Sequence, residues 1–149
     1  MPRKQIITTK LAPAAIGPYS QGVVAGDFVF VAGQGPVDPE SGRFVLGDIR
    51  SECELTLKNI EAILKASGTT LTNVVQCTVY LRDLADFSAL NEVYGRFFST
   101  HCPARTTVQA GNLLREIKVE IDAVALLLNK RSPRSFQRRK PRPRRRSPQ

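Results

Sequence analysis

A chain of 149 residues, 42% of them hydrophobic, is long enough for one domain with a buried core. Its formal net charge of +9 resembles a nucleic-acid-binding signal, but residues 130–149 hold ten Lys or Arg and no acid, leaving 12 basic against 13 acidic side chains in residues 1–129. The basicity is therefore a tail on a near-neutral body. No run approaches the ~18 apolar residues of a membrane span, and MPRKQIITTK lacks the apolar stretch of a signal peptide.

In chain order, residues 3–9 and 20–25 read as short strands separated by the turn GPYSQG. GDFVFVAGQ (26–34) is β-rich and closes on glycines. The following AGQGPVDPESG superficially suggests a phosphate loop, but it lacks the GK[ST] ending and precedes no helix at the required spacing, so it reads as a turn. DIRSECELTLKNIEAILKASG is an amphipathic helix: Asp48 is the N-cap, Ile49, Cys53, Leu57, Ile60 and Leu64 recur at helical steps, and Gly68 supplies the stop. VVQCTVYLR (74–82) is a strand with Val75, Cys77, Val79 and Leu81 on one face. A shorter helix is expected from about Asp86 to Ser99, with Phe87, Leu90, Tyr94, Phe97 and Phe98 inward. Strands at 105–110 and 117–128 complete the body. Strands, helix, strand, helix, strands imply an α+β layer, about six strands in a mixed sheet with two helices on one face.

The last strand adds an expectation about assembly. Val119, Ile121, Ala123, Ala125 and Leu127 would face the helices, while Glu120, Asp122, Val124, Leu126 and Leu128 point the other way. An apolar row on an uncovered sheet face implies that another subunit packs there, unless it is merely sticky surface. The tail, KRSPRSFQRRKPRPRRRSPQ, has four prolines and few apolar groups to offset chain entropy, so a disordered segment at 130–149 is expected after a domain at 1–129. The three cysteines (Cys53, Cys77, Cys102) lack CxxC spacing and are odd in number, which indicates neither a disulfide framework nor a zinc site and fits a reducing, cytoplasmic setting.

Three features could carry chemistry. Arg105, in CPARTTVQ, stands at the mouth of a strand, and the antiparallel run of the next strand could bring it to the same end or face as Glu120. A guanidinium binds a carboxylate through two parallel hydrogen bonds, and a nearby carboxylate can hold water or relay a proton. A plain cross-strand salt bridge is the competing reading. Tyr19 and Ser20 could present hydroxyls beside a pocket, or simply pack in a turn. His101 and Cys102 are adjacent in a loop, where neighbours seldom meet as a dyad.

PAAIGPYSQG, FVFVAGQGPVDPESG, CPARTTV and IKVEIDAVA, in that order and spacing, closely resemble the RidA/YjgF family of reactive-intermediate deaminases, over about residues 5–128. The resemblance implies a chorismate-mutase-like two-layer fold, a homotrimer with its sheets around a central barrel, and active sites in clefts between subunits. It implies hydrolysis of enamines and imines such as 2-aminoacrylate and 2-iminopropanoate to 2-oxo acids and ammonia, as a 2-iminobutanoate/2-iminopropanoate deaminase, with no metal or organic cofactor. By motif, Arg105 grips the substrate carboxylate and Glu120 holds the attacking water. Tyr19, Ala32, Gly33, Asn91 and Thr107 contribute to substrate binding, Thr107 through its backbone. Ala32 and Thr107 depart from the serine and cysteine common in the family. Two other readings remain: an RNA-binding or endoribonuclease-type translation inhibitor, to which the tail would add non-specific, salt-dependent binding, and a non-catalytic trimer that binds a small ligand.

Overall fold

The computed structural model describes residues 4–128; the expected tail lies outside them. Six strands, β1 (Lys4–Ile7), β2 (Gly22–Ala25), β3 (Phe28–Gln34), β4 (Val74–Leu81), β5 (Ala104–Gln109) and β6 (Val119–Leu126), form one sheet, joined by helices α1 (Ile49–Ala66) and α2 (Phe87–Phe97). The spatial order is β1-β2-β3-β6-β4-β5. Only β4 and β5 pair in parallel, as a β-α-β crossover through α2 requires; the other neighbours are antiparallel. This is the α+β arrangement the sequence implies.

The cause is visible in each element. The Asp48 side chain accepts from Ser51 N at 2.8 Å and starts α1. Gly68, at φ +83°, follows the helix end in a backbone conformation that would strain any other residue. All five apolar positions expected on the α1 inner stripe are buried. They pack on Val29 and Val31 of β3 and on Ile121, Ala123 and Ala125 of β6, all in one core. Full burial of each large aliphatic side chain contributes about 1.5–3 kcal/mol.

Two local expectations need correction. In β4, Cys77, Val79 and Leu81 are buried as expected, but Val74 is buried in place of Val75, because a bulge between Val74 and Gln76 shifts the register against β6. In α2, Leu90, Val93 and Tyr94 are buried and Phe98 follows them into the core, but Phe87 is exposed and Phe97 is half-buried. Phe87 sits in the first turn, at the edge of the helix layer.

The other sheet face carries no helix. Strand register aligns Ile6, Val23, Phe30 and Val124 in one row across four strands. Ile6 is 50% and Phe30 47% exposed, with Phe28 and Leu126 beside them also open. The second apolar row of β6 is thus real and, in the single chain, uncovered. Among the described residues, no helix is long and apolar enough to cross a membrane.

Candidate active site

The residues singled out in the sequence fall into two groups. The first surrounds a cavity of about 500 Å³ whose lining includes Tyr19, Ala32, Gly33, Ile117 and Glu120. Its floor is made where β3 bulges: Val31 pairs with Ala123 and Gln34 with Ile121, so two residues of β3 stand against the single residue between them. Those two are Ala32 and Gly33, beside Glu120. A Cβ on Gly33 would run into Glu120 Oε1 and lie 3.1 Å from its Cδ. The glycine is there because the carboxylate lies against its backbone. Burial first, and the neighbouring charge of Asp122 second, push the Glu120 carboxyl above its ordinary range. A carboxylate tuned upward can both take and return a proton.

Tyr19 forms a wall of this cavity. Its hydroxyl accepts from Ile16 N at 3.2 Å, curling residues 16–19 into a turn. That bond uses the oxygen as acceptor and leaves the hydroxyl proton available. The AGQGPVDPESG segment is a turn, as expected: Val37 bridges Phe44, Gly42 N donates to Asp38 O at 2.8 Å, and Gly42 has φ +70°.

Sequence reasoning missed three buried polar side chains that hold the cavity walls. Gln21 accepts from Thr9 N at 2.7 Å and donates to Pro13 O at 2.7 Å. Asn59, from α1, donates to Gly35 O at 3.1 Å and Val37 O at 2.8 Å. Glu52, also from α1, accepts from Gly47 N at 3.1 Å and Lys118 N at 2.6 Å. The signal was present for two of them. Glu52 and Asn59 interrupt the inward stripe of α1, where a polar residue must find a partner.

The second group lies on the other side of the sheet, at its β5 edge. The Arg105 guanidinium carbon stands 4.6 Å from the Tyr94 ring centroid and 5.5 Å from that of Phe87. Both rings belong to α2, and Asn91, four residues after Phe87 and three before Tyr94, shares their helix face. Thr107, two residues along β5, points the same way as Arg105. Among the described residues, Arg105 forms no salt bridge. The guanidinium is oriented by aromatic faces while its N–H fork is left without a carboxylate.

Within one chain the two groups do not meet. β4 lies between β5 and β6; Arg105 pairs with Cys77, which pairs with Ala123 on the core face, whereas Glu120 pairs with Tyr80 on the open face. The expected approach of Arg105 and Glu120 to one face is therefore incorrect for a single chain, and the plain cross-strand salt bridge falls with it. Their rows are also three residues apart, roughly 10 Å along the strands. His101 and Cys102 form no dyad: the Cys102 thiol donates to Phe98 O at 3.1 Å. Burial raises the Cys53 and Cys77 thiols to about 12 and about 11, which keeps them protonated and unreactive at neutral pH.

The family model described as endoribonuclease L-PSP matches residues 9–127. A RutC family protein of Pyrococcus horikoshii is 47% identical over 122 residues, covering 82% of this chain and 97% of the relative. Reactive Intermediate Deaminase A of Arabidopsis thaliana, a chloroplastic protein, is 43% identical over 125 residues, 84% of this chain and 67% of the relative. The crystal structure of Escherichia coli TdcF with bound serine superposes with a TM-score of 0.78 at 42% identity, covering 82% of this chain and 98% of that one. With matches of this extent across both the sequence and the fold, the chain belongs to the RidA/YjgF family, the one whose model is described as endoribonuclease L-PSP.

Proposed function

We propose that this protein is a hydrolase that deaminates reactive enamine and imine intermediates, of the 2-aminoacrylate/2-iminopropanoate and 2-iminobutanoate type, to 2-oxo acids and ammonia. It acts as a homotrimer in which Arg105 of one subunit faces Glu120 of the next. One observation carries the reading: an unpaired guanidinium and a proton-active carboxylate lie on opposite faces of one sheet, each beside further residues of the same motif set. Neither half makes a site alone, and a subunit packed on the open apolar face would join them. The deaminase name of the Arabidopsis relative and the serine in the TdcF structure, a small amino acid with a carboxylate, support this reading. The free thiols of Cys53, Cys77 and Cys102 suit a reducing, cytoplasmic setting.

The chemistry asks little of the protein. An imine already hydrolyses in water, so catalysis consists of fixing the substrate and aiming a water. Arg105 grips the substrate carboxylate through its fork, and Asn91 and Thr107 border it. Glu120 takes a proton from water as the C–O bond forms at C2 and delivers it to the imine nitrogen, giving a neutral carbinolamine. It then takes the proton of the new hydroxyl and passes it to the same nitrogen as the C=O bond forms, the C–N bond breaks and ammonia leaves. Tyr19 closes the cavity from the side, and Gly33 gives Glu120 room.

The test is a coupled assay in which a lyase or oxidase generates defined imines and ammonia release is followed, with light scattering on the same sample. Accelerated release by a particle of about three chain masses is expected. No acceleration over buffer with either imine would overturn the activity. A monomer at micromolar concentration would remove the intersubunit site.

A second role rests on the charge segregation: residues 130–149 hold RNA non-specifically and with steep salt dependence. Removing them should leave hydrolysis intact and abolish retention on RNA.

A further inference from the structure

Besides Glu120, the open sheet face carries a second carboxylate that the proposed chemistry does not use. Asp122 lies two residues along β6, on the same face as Glu120. It is fixed by β4: Thr78 N donates to its Oδ1 at 3.3 Å, and the Tyr80 hydroxyl donates to its Oδ2 at 3.3 Å. Tyr80 is also the residue directly across the ladder from Glu120, so its ring lies beside one carboxylate while its hydroxyl holds the other. A cross-strand neighbour would ordinarily be free to vary. Here it spans both acids.

We propose that Asp122, held by Tyr80 and Thr78, is a positioning residue that keeps Glu120 able to carry a proton through each turnover. The inference rests on the reading of Glu120 as the proton carrier in imine hydrolysis. The physical reason is like-charge coupling. Two carboxylates on adjacent same-face positions of one strand oppose each other's ionisation, and in a half-buried setting that opposition is poorly screened. The hydrogen bonds keep Asp122 at a fixed separation, so the effect on Glu120 is constant and not averaged away by rotation. The upward displacement of the Glu120 carboxyl, owed first to burial and next to Asp122, agrees with this geometry.

The other groups set about Glu120 do not cancel the effect: across the proposed interface, Arg105 of the next subunit spends its charge on the substrate carboxylate. From its own strand, Lys118 turns its ammonium to Gly47 O at 2.6 Å. From the cavity loops come Tyr19 and Glu40, and β3 presents backbone at Ala32 and Gly33. Asp122 is thus the negative charge that acts on Glu120 from its own strand.

The experiment measures kcat and KM against pH on the full-length chain for wild type, Asp122→Asn, Asp122→Glu and Glu120→Gln. For Asp122→Asn the acid limb of kcat should move to lower pH and the plateau should fall several-fold, with KM unchanged. Asp122→Glu should restore the limb. A role of Asp122 in folding alone would lower activity without moving the limb, and that outcome overturns the proposal. If Asp122→Asn does not fold, carboxyl-carbon NMR titration of the wild-type protein decides: the Glu120 resonance should titrate in two steps, and a single-step titration overturns the coupling. Glu120→Gln separates the two ideas. Wild-type turnover by that variant sinks the proton-carrier reading itself, whereas an inactive Glu120→Gln beside an unshifted Asp122→Asn sinks the role of Asp122 alone.

Discussion

Around Glu120 the chain commits three buried polar side chains, Gln21, Asn59 and Glu52, to holding three loops still, and it leaves out a side chain at Gly33 to seat the carboxylate. Around Arg105 the guanidinium rests on two aromatic rings beside the unpaired edge of the sheet. The difference follows from what each half must do. A group that moves protons needs a fixed distance to water and a controlled charge, so its surroundings are over-determined. A group that captures a carboxylate needs an open, directional fork, and aromatic faces orient it without occupying its N–H donors. Substitutions on the two sides should therefore fail in different ways.

The largest effect is expected from Glu120→Gln. Loss of general acid–base catalysis costs ~10²–10⁴-fold, so turnover of 2-iminopropanoate should collapse while calorimetry still detects pyruvate binding. The same variant should be more stable than wild type above the acid range. Because the folded carboxyl is shifted upward, its contribution to stability is present below the unfolded value and is lost as pH rises through the folded one. Thermal melts at acid and neutral pH check the sign: the advantage of Gln should grow from the first to the second.

Arg105→Ala comes next. Charge-assisted hydrogen bonds contribute roughly 1.5–3 kcal/mol each, so losing a two-pronged clamp should lower kcat/KM by about a hundredfold or more, and product binding with it. Arg105→Lys should recover part of the loss, since lysine lacks the planar fork. Mixing unfolded Arg105→Ala and Glu120→Gln chains and refolding them together breaks or sharpens the comparison directly. If the halves come from different subunits of a symmetric trimer, about a quarter of the sites regain both groups. Activity no higher than that of either variant alone would remove the shared intersubunit site.

How much of this was legible in the sequence depends on how local the determinant is. α1 could be read from Asp48 to Gly68 because cap, periodicity and stop all lie within the segment. Cys77, Val79 and Leu81 of β4 could be read as inward too, but Val75 could not be placed, because the bulge there answers to register with β6, more than forty residues away. The same distance effect hid the separation of Arg105 from Glu120. Consecutive strands were expected to be neighbours, but the crossover through α2 inserts β4 between them. Arg105, Glu120, Tyr19 and Asn91 could be singled out in the sequence as candidates, while their division between two faces required the topology. Gln21 was beyond reach, since its four hydrogen bonds go to Thr9, Ala12 and Pro13, in an irregular segment that leaves no pattern.

Gly33→Ala probes the rigid half more gently. The new methyl would meet the end of the Glu120 side chain, not backbone, so the fold should survive and the carboxylate should shift. A misplacement of about 1 Å at a reacting group can cost 10²-fold, and a loss of roughly tenfold to a hundredfold in kcat with little change in KM is expected. Asn59→Ala acts one layer further out. It leaves Val37 O without its side-chain donor and Gly35 O with only the Val37 N–H, which costs ~1–3 kcal/mol. Urea denaturation should show that loss, with kcat reduced by less than tenfold.

The smallest effect should come from Phe87→Leu, on the open half. Phe87 is exposed, and its ring lies farther from the Arg105 guanidinium than that of Tyr94, which remains as the second platform. A cation–π contact at such a site is worth about 0.5–1 kcal/mol. Leucine keeps the apolar contact and removes only the ring face, so the fork becomes less well aimed. KM for 2-iminopropanoate should rise about two- to fivefold, with kcat and the urea midpoint unchanged. A loss of stability comparable to that of Asn59→Ala would mean that the Arg105 side is as tightly framed as the Glu120 side, and the contrast between the two halves would fail.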